Sequence, residues 1–234
     1  MLSDTQVERY SRQIILPQVG GRGQLALLSA TVAIRGSNEM ATTAALYLAA
    51  AGVGRLCVSP ATLAAIEAVN PDCQLVLEDG GEPTAMDAVR PAAVLCAGAG
   101  PDICVRVNAA CVAMHVPMIV GEAADALGAF GALGTLGWMS ICAGHEPGTP
   151  CYRCLSPRFE SVRRSDTVLA LAPPLGTVTA GFIGTLMATE AMKIMLRLRV
   201  AYAGRLVTFD ALAGEIHEEP VAKDPQCAVC GGLA

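Results

Sequence analysis

The chain has 234 residues, of which 53% are hydrophobic, so it can bury a substantial core and is not a disordered protein. Its 16 basic and 21 acidic residues give a net charge of −5, which argues against a protein that binds nucleic acid through a basic face. The segment from Met1 to Arg9 has no apolar core of the kind that secretory signals have, so we expect a cytoplasmic protein.

The first half of the chain alternates short apolar segments with segments of helical character. Gly36–Asn38 is typical of a turn, and Gly52 of a helix end. This alternation predicts an α/β fold with a Rossmann-like, doubly wound and mainly parallel sheet. The expected strands are 31–35, 55–59, 74–78, 92–97 and 117–121, and the expected helices are 40–51 and 101–115.

After residue 128 the pattern changes. Residues 129–139 and 205–219 are typical of longer, antiparallel strands, and the apolar segment 175–198 between them predicts a helix. Glu190 and Lys193 within this helix argue against a membrane span. Its apolar residues face more than one side, so we expect it to be buried in the core or against a second subunit of a dimer. No internal repeat is present, and 1–234 is predicted to be a single domain.

Ten cysteines in a chain without an export signal are typical of reduced thiols or metal ligands. Four of them form two Cys-x-x-Cys pairs, Cys151/Cys154 and Cys227/Cys230. Four thiolates close a tetrahedral site without an open position, which predicts a structural zinc ion; a redox pair is the alternative. The other six are expected to be small core residues: Cys57, Cys73, Cys96, Cys104, Cys111 and Cys142.

Several longer motifs occur in a fixed order along the chain. They are ERYSRQIILP at 8–17, YLAAAGVG at 47–54, Asn70-Pro71, PCYRCL at 150–155, GTLMATEA at 184–191, GRLVTFD at 204–210 and CAVCG at 227–231. In this order they resemble the ThiF/MoeB/HesA family, the bacterial relatives of the ubiquitin-activating (E1) enzymes. The resemblance extends over nearly the whole chain.

The resemblance implies an activity and partners. Members of the family use ATP and magnesium to adenylylate the C-terminal Gly-Gly of a ubiquitin-like sulfur-carrier protein, and they act as dimers with a four-cysteine zinc site in each subunit. It implies that 1–128 is the nucleotide-binding half and that 129–234 is the half that binds the carrier or partner. Arg12 matches the family Arg that reaches into the nucleotide site of a second subunit.

The phosphate-binding turn departs from the family pattern. The three glycines of its Gly-x-Gly-x-x-Gly motif fall on Gly36, Asn38 and Ala41, so only the first is present. A side chain at Asn38 stands where the backbone approaches a phosphate. Glu39 adds a negative charge that would repel a triphosphate at this helix N-terminus. These changes argue against ATP binding and predict a degenerate nucleotide site.

Other site positions depart as well. The second strand ends in Ser59-Pro60 without an acidic residue, and the short segment 61–68 lacks the Arg, Gln and Lys that face the nucleotide in the family. The magnesium Asp falls near Ala99-Gly100, with Asp102 close in sequence. The family's loop Cys falls near Ala170, so no confident catalytic residue is present.

Three functions remain compatible with this pattern. The first is a pseudoenzyme that binds a sulfur carrier, or a catalytically intact E1-like homologue in a homo- or heterodimer, without adenylylating the carrier itself; the lost glycines and Glu39 favour it. The second is an active adenylyltransferase with a rebuilt site that uses Arg35, Asp102 and Arg106. The third is a protein that holds another ligand in the crevice at the strand ends, because fold does not fix function.

Overall fold

The computed structural model describes residues 1–78, 89–123, 136–158 and 174–233. These residues form one α/β unit built on a single sheet of eight strands. The helices are α1 (Asp4–Arg9), α2 (Ser11–Ile14), α3 (Gly20–Ser29), α4 (Glu39–Ala50), α5 (Pro60–Ile66), α6 (Pro101–Met114), α7 (Tyr152–Leu155) and α8 (Pro174–Met195). The strands are β1 (Thr31–Arg35), β2 (Arg55–Val58), β3 (Gln74–Leu77), β4 (Ala93–Ala97), β5 (Met118–Ala123), β6 (Leu136–Cys142), β7 (Arg205–Asp210) and β8 (Glu215–Pro220).

The strand order is β3-β2-β1-β4-β5-β6-β7-β8. The first five strands are parallel and the last three are antiparallel, which confirms the predicted doubly wound sheet with an antiparallel extension. The single strand predicted at 205–219 is wrong, because a turn that contains Gly214, with φ of 71°, divides it into β7 and β8. The strand predicted at 129–139 ends later than expected, at Cys142, and residues 129–135 lie outside the described residues.

The sheet separates two hydrophobic cores. Successive residues of a strand point to opposite faces, so Val32 and Ile34 of β1 contact one core while Ala33 contacts the other. The first core contains α4 and α8, and the second contains α6 and α7. Both faces of the sheet are therefore covered, which accounts for the continuous apolar character of its central strands.

The long helix α8 is buried along one side and partly exposed along the other. Between residues 176 and 195, only Thr177 and Val178 are exposed. Other residues of the helix are only partly buried, among them Phe182, Leu186 and Met192. The prediction of a buried helix is therefore confirmed only in part. Helix α8 packs across α4, where a Cβ atom at Gly184 would lie 2.4 Å from the carbonyl oxygen of Met40. No helix in the described part of the chain is long and apolar enough to cross a membrane.

The motif at the start of the chain has a structural role in fixing the N-terminal helices. The Tyr10 hydroxyl donates a hydrogen bond of 2.9 Å to the Asp72 carboxylate and accepts one of 2.9 Å from the Asn70 amide. The same amide donates to the Ala49 carbonyl at 2.8 Å, at the end of α4. Tyr10 and Asn70 therefore join the N-terminal segment to the segment that precedes β3.

The close approach of α8 to α4 predicts different outcomes at two glycines of α8. Replacement Gly184→Ala should lower the free energy of unfolding by about 1–3 kcal/mol, because the new methyl group collides with the Met40 backbone. At Gly181 the nearest atom to a new Cβ is the Thr43 Oγ1 at 3.8 Å, so Gly181→Ala should be neutral or stabilise the protein by up to about 1 kcal/mol. Urea unfolding of both variants checks this, and equal stability of the two would contradict the packing.

Candidate functional site

Four cysteines from distant parts of the chain meet near its C-terminus. Cys151 is the N-cap of α7, and Cys154 lies within this helix. Cys227 and Cys230 lie in a turn near the C-terminus. The four Sγ atoms all lie within 4.8 Å of one another. The Cys151–Cys227 and Cys154–Cys230 sulfur distances are 3.7 Å and 3.5 Å. A tetrahedron with Zn–S bonds of about 2.3 Å has sulfur–sulfur edges of about 3.8 Å, so the set fits zinc.

The surroundings of the four thiols also suit a metal. Burial acts to raise the pKa of Cys227, but hydrogen bonds from the backbone N–H groups of Val229 and Cys230 outweigh it and lower that pKa to about 7. Burial raises the pKa of Cys151. A bound cation would favour the thiolate form of all four. Since both pairs converge on one point, the arrangement favours a closed metal centre over a single redox pair.

The second candidate site is a crevice at the carboxyl ends of the parallel strands. Its volume is near 300 Å³, and it is bounded by the ends of β1, β2 and β4 and by the residue after β3. In doubly wound sheets the ligand binds at these strand ends, where the strand order reverses, which here is between β1 and β4. The lining residues are Ile34, Arg35, Gly36, Ser37, Ser59, Pro60, Glu78, Gly98, Ala99 and Ile103.

The turn between β1 and α4 shows what replaced the glycine motif. Gly36 has a φ of 127°, and a Cβ there would lie 2.1 Å from the Ala97 carbonyl oxygen, so this glycine is needed by the fold itself. Asn38 is the N-cap of α4, and its Oδ1 accepts a hydrogen bond of 3.1 Å from the Ala41 N–H. Its Nδ2 lies 2.0 Å from the position of a Cβ on Gly98. The Asn38 side chain therefore fills the space at the switch point between β1 and β4.

A buried ion pair lies at the other end of the crevice. Arg35, the last residue of β1, pairs through Nη1 with the carboxylate of Glu78, which follows β3. Only 3% of the Arg35 side chain and 10% of the Glu78 side chain is exposed. The sequence-based prediction of a rebuilt nucleotide site includes Arg35 but misses Glu78, although the end of β3 is expected at this edge of the sheet. The structure brings the two together across the end of β2.

The other predicted site residues lie elsewhere or outside the described residues. Arg12 is exposed on α2, and Asp102 is exposed in the first turn of α6. Arg106 is exposed further along α6. Neither Asp102 nor Arg106 lines the crevice as far as the structure describes it, so of the proposed set Arg35, Asp102 and Arg106 only the first does. Ala170 lies outside the described residues.

The four-cysteine cluster predicts the zinc content of the purified protein. Elemental analysis should find about one zinc ion per chain, and Cys154→Ser should lose it, because three thiolates hold zinc less well than four. The matched control is Cys73→Ser, at a half-buried cysteine that lies outside the cluster, and this variant should keep the metal. The same metal content in both variants, or zinc-free protein that unfolds at the same temperature as zinc-loaded protein, would contradict the assignment.

Comparison with known proteins gives the family. A profile of the ThiF family matches residues 59–229. The molybdopterin-synthase adenylyltransferase of Escherichia coli is 30% identical over 262 residues, covering 98% of this chain and 98% of that protein. The adenylyltransferase and sulfurtransferase MOCS3 of Bos taurus is 34% identical over 98% of this chain but 54% of its own length, so the chain spans about half of that relative.

A solved structure shows the same fold. The crystal structure of E. coli MccB with MccA-N7isoASN superposes with a TM-score of 0.70 at 15% identity, over 95% of this chain and 75% of that one. The family profile matches well over half of the chain, and a relative of similar length matches along nearly all of it. The chain therefore belongs to the ThiF family, whose E1-like fold it shares.

Proposed function

We propose that this chain binds the carboxyl-terminal tail of a ubiquitin-like sulfur-carrier protein and adenylylates it with ATP. The observation that carries the proposal is the match to the E. coli molybdopterin-synthase adenylyltransferase along 98% of both chains. Because this match runs nearly from one end of that relative to the other, it supports a shared reaction and a shared class of partner. The relatives thus favour the active adenylyltransferase, the second of the three functions that the sequence allows.

In this reaction a carboxylate oxygen of the tail attacks the α-phosphorus of ATP. The acyl adenylate forms, and pyrophosphate leaves with the electron pair of the broken bond. The crevice at the ends of β1, β2 and β4 is the place for the nucleotide, since ligands of doubly wound sheets bind at the switch point. Arg35 is the one cation among the described residues that line it, and magnesium would need carboxylates that this lining offers only through Glu78.

A second candidate is a subunit that binds the carrier or an intact E1-like homologue without adenylylating the carrier. The filled turn favours it: the Asn38 side chain caps the Ala41 N–H and occupies the switch point. A triphosphate could reach the backbone there only after this side chain had moved. The neighbouring Glu39 would add repulsion at the same helix end. Exposed Arg12 would be available to the nucleotide site of a second subunit in a homo- or heterodimer.

Pyrophosphate release separates the two candidates. The zinc-loaded chain is mixed with ATP, magnesium and a purified ubiquitin-like sulfur carrier that ends in Gly-Gly. We expect pyrophosphate to be released and the carrier to gain the mass of AMP. The matched control is the same carrier without its last glycine, which should give neither signal.

Calorimetric titration with the same carrier covers the remaining outcomes. Carrier binding without pyrophosphate release would favour the non-catalytic subunit, and Asn38→Gly should then strengthen ATP binding because it empties the turn. The absence of both carrier binding and pyrophosphate release would refute the proposed function.

A further inference from the structure

Arg35 is a buried cation with unused hydrogen-bond donors. The residue is 4% exposed, and only its Nη1 meets a carboxylate, that of Glu78. Its Nε and Nη2 have no hydrogen-bond partner among the residues that the structure describes. A buried donor without a partner is costly, and Arg35 lines the crevice beside Glu78, so its unpaired donors indicate a ligand with acceptor atoms.

The cysteine thiols around the guanidinium do not supply the hydrogen-bond acceptors that its free donors need. Burial lowers the pKa of Arg35, and negative charge on Cys96, Cys57 and Cys111 would oppose that shift only if these cysteines were thiolates. The same burial raises the pKa of Cys57, and it raises that of Cys111 to about 12. These thiols are therefore neutral near pH 7 and are weak acceptors. Among the described residues that line the crevice, Glu78 is left as the single anion.

We propose that the Arg35 end of the crevice is a binding site for one phosphate group, which replaces Glu78 as the partner of the guanidinium. Arg presents its donors in a planar fork that matches phosphate as well as carboxylate. Glu78 is the residue directly after β3, and its carboxylate pairs with one nitrogen of Arg35. A phosphate group can therefore replace this carboxylate if the Glu78 side chain turns away.

The hydrogen-bond donors and the volume of the crevice favour phosphate over a second carboxylate. A phosphate group has more acceptor oxygens than a carboxylate, so it can satisfy Nε, Nη2 and a further donor together. The exposed Ser37 hydroxyl lines the same cavity and can supply that donor. The Ser59 hydroxyl is engaged with Thr62 at the start of α5. A volume near 300 Å³ is at the low end for ligand sites, which suits one phosphate-bearing group.

The phosphate site rests on the proposed function in one respect: if the chain uses ATP, the phosphate belongs to the nucleotide. The charge, burial and unpaired donors of Arg35 favour an anion whether or not the carrier is adenylylated. The titrations that test the site contain neither magnesium nor carrier protein. A failure of adenylylation and a failure of the phosphate site are therefore separate results.

The test is calorimetric titration of the zinc-loaded 234-residue chain with inorganic phosphate and with AMP at constant ionic strength. Glu78→Gln removes the competing carboxylate, and we expect it to tighten phosphate binding about tenfold, since the free guanidinium is otherwise a minor state. Arg35→Gln should abolish binding of both probes. The matched control is Arg158→Gln, which removes the same charge from an exposed pair with Glu219 and should leave binding unchanged.

Thermal unfolding gives a second readout should Arg35→Gln prove unstable. Phosphate should raise the unfolding midpoint of Glu78→Gln more than that of the unaltered protein, because it pairs a buried charge that has lost its partner. Tighter binding of AMP than of inorganic phosphate identifies a nucleotide as the source, and equal affinities identify free phosphate. Unchanged phosphate affinity in Glu78→Gln, or retained affinity in a folded Arg35→Gln protein, would overturn the proposal.

Discussion

Helix α8 lies against α4 at a distance that only a glycine permits, with Gly184 over the Met40 carbonyl. Met40 is in the first turn of α4, two residues after the Asn38 cap, so this contact fixes the helix end that faces the crevice. Helix α8 also covers β5 and β6, where the sheet changes from parallel to antiparallel. The position of the crevice, and the continuity of the two halves of the sheet, therefore depend on one helix crossing.

The four-cysteine centre supplies a second constraint at the opposite face of the sheet. It joins the α7 segment to the C-terminal turn, and the Tyr152 N–H donates to Asn108 of α6 at 2.8 Å. A metal there would close a loop that contains α8, β7 and β8. Aromatic residues make up only 4% of the sequence, so the core has few large side chains. A bound metal would therefore help to hold the antiparallel half of the chain in place.

The crevice differs from what its family membership alone implies. Gly36 remains because the fold needs a left-handed residue beside Ala97, so its presence says nothing about a nucleotide. The Asn38 side chain caps α4 and accepts the hydrogen bond of the Ala41 N–H, which a ligand would otherwise accept. The positive charge of the site comes instead from Arg35, at the end of β1. In the proposed phosphate site the anion is bound by the Arg35 side chain, which the Glu78 carboxylate holds in its absence, and not by backbone N–H groups.

The sequence by itself determined the parallel strands, the longest helices and the four-cysteine cluster. Alternating apolar segments specified the parallel strands, because their period is local, and the paired Cys-x-x-Cys spacing identified the four thiols. The β7–β8 hairpin was missed because its turn carries no Pro and its second strand is wholly exposed. The Arg35–Glu78 pair could not be found either, since it joins residues of two strands that β2 separates. Only the tertiary structure decided that pairing, because burial and strand order, which no local pattern encodes, bring Arg35 and Glu78 together at the edge of the crevice.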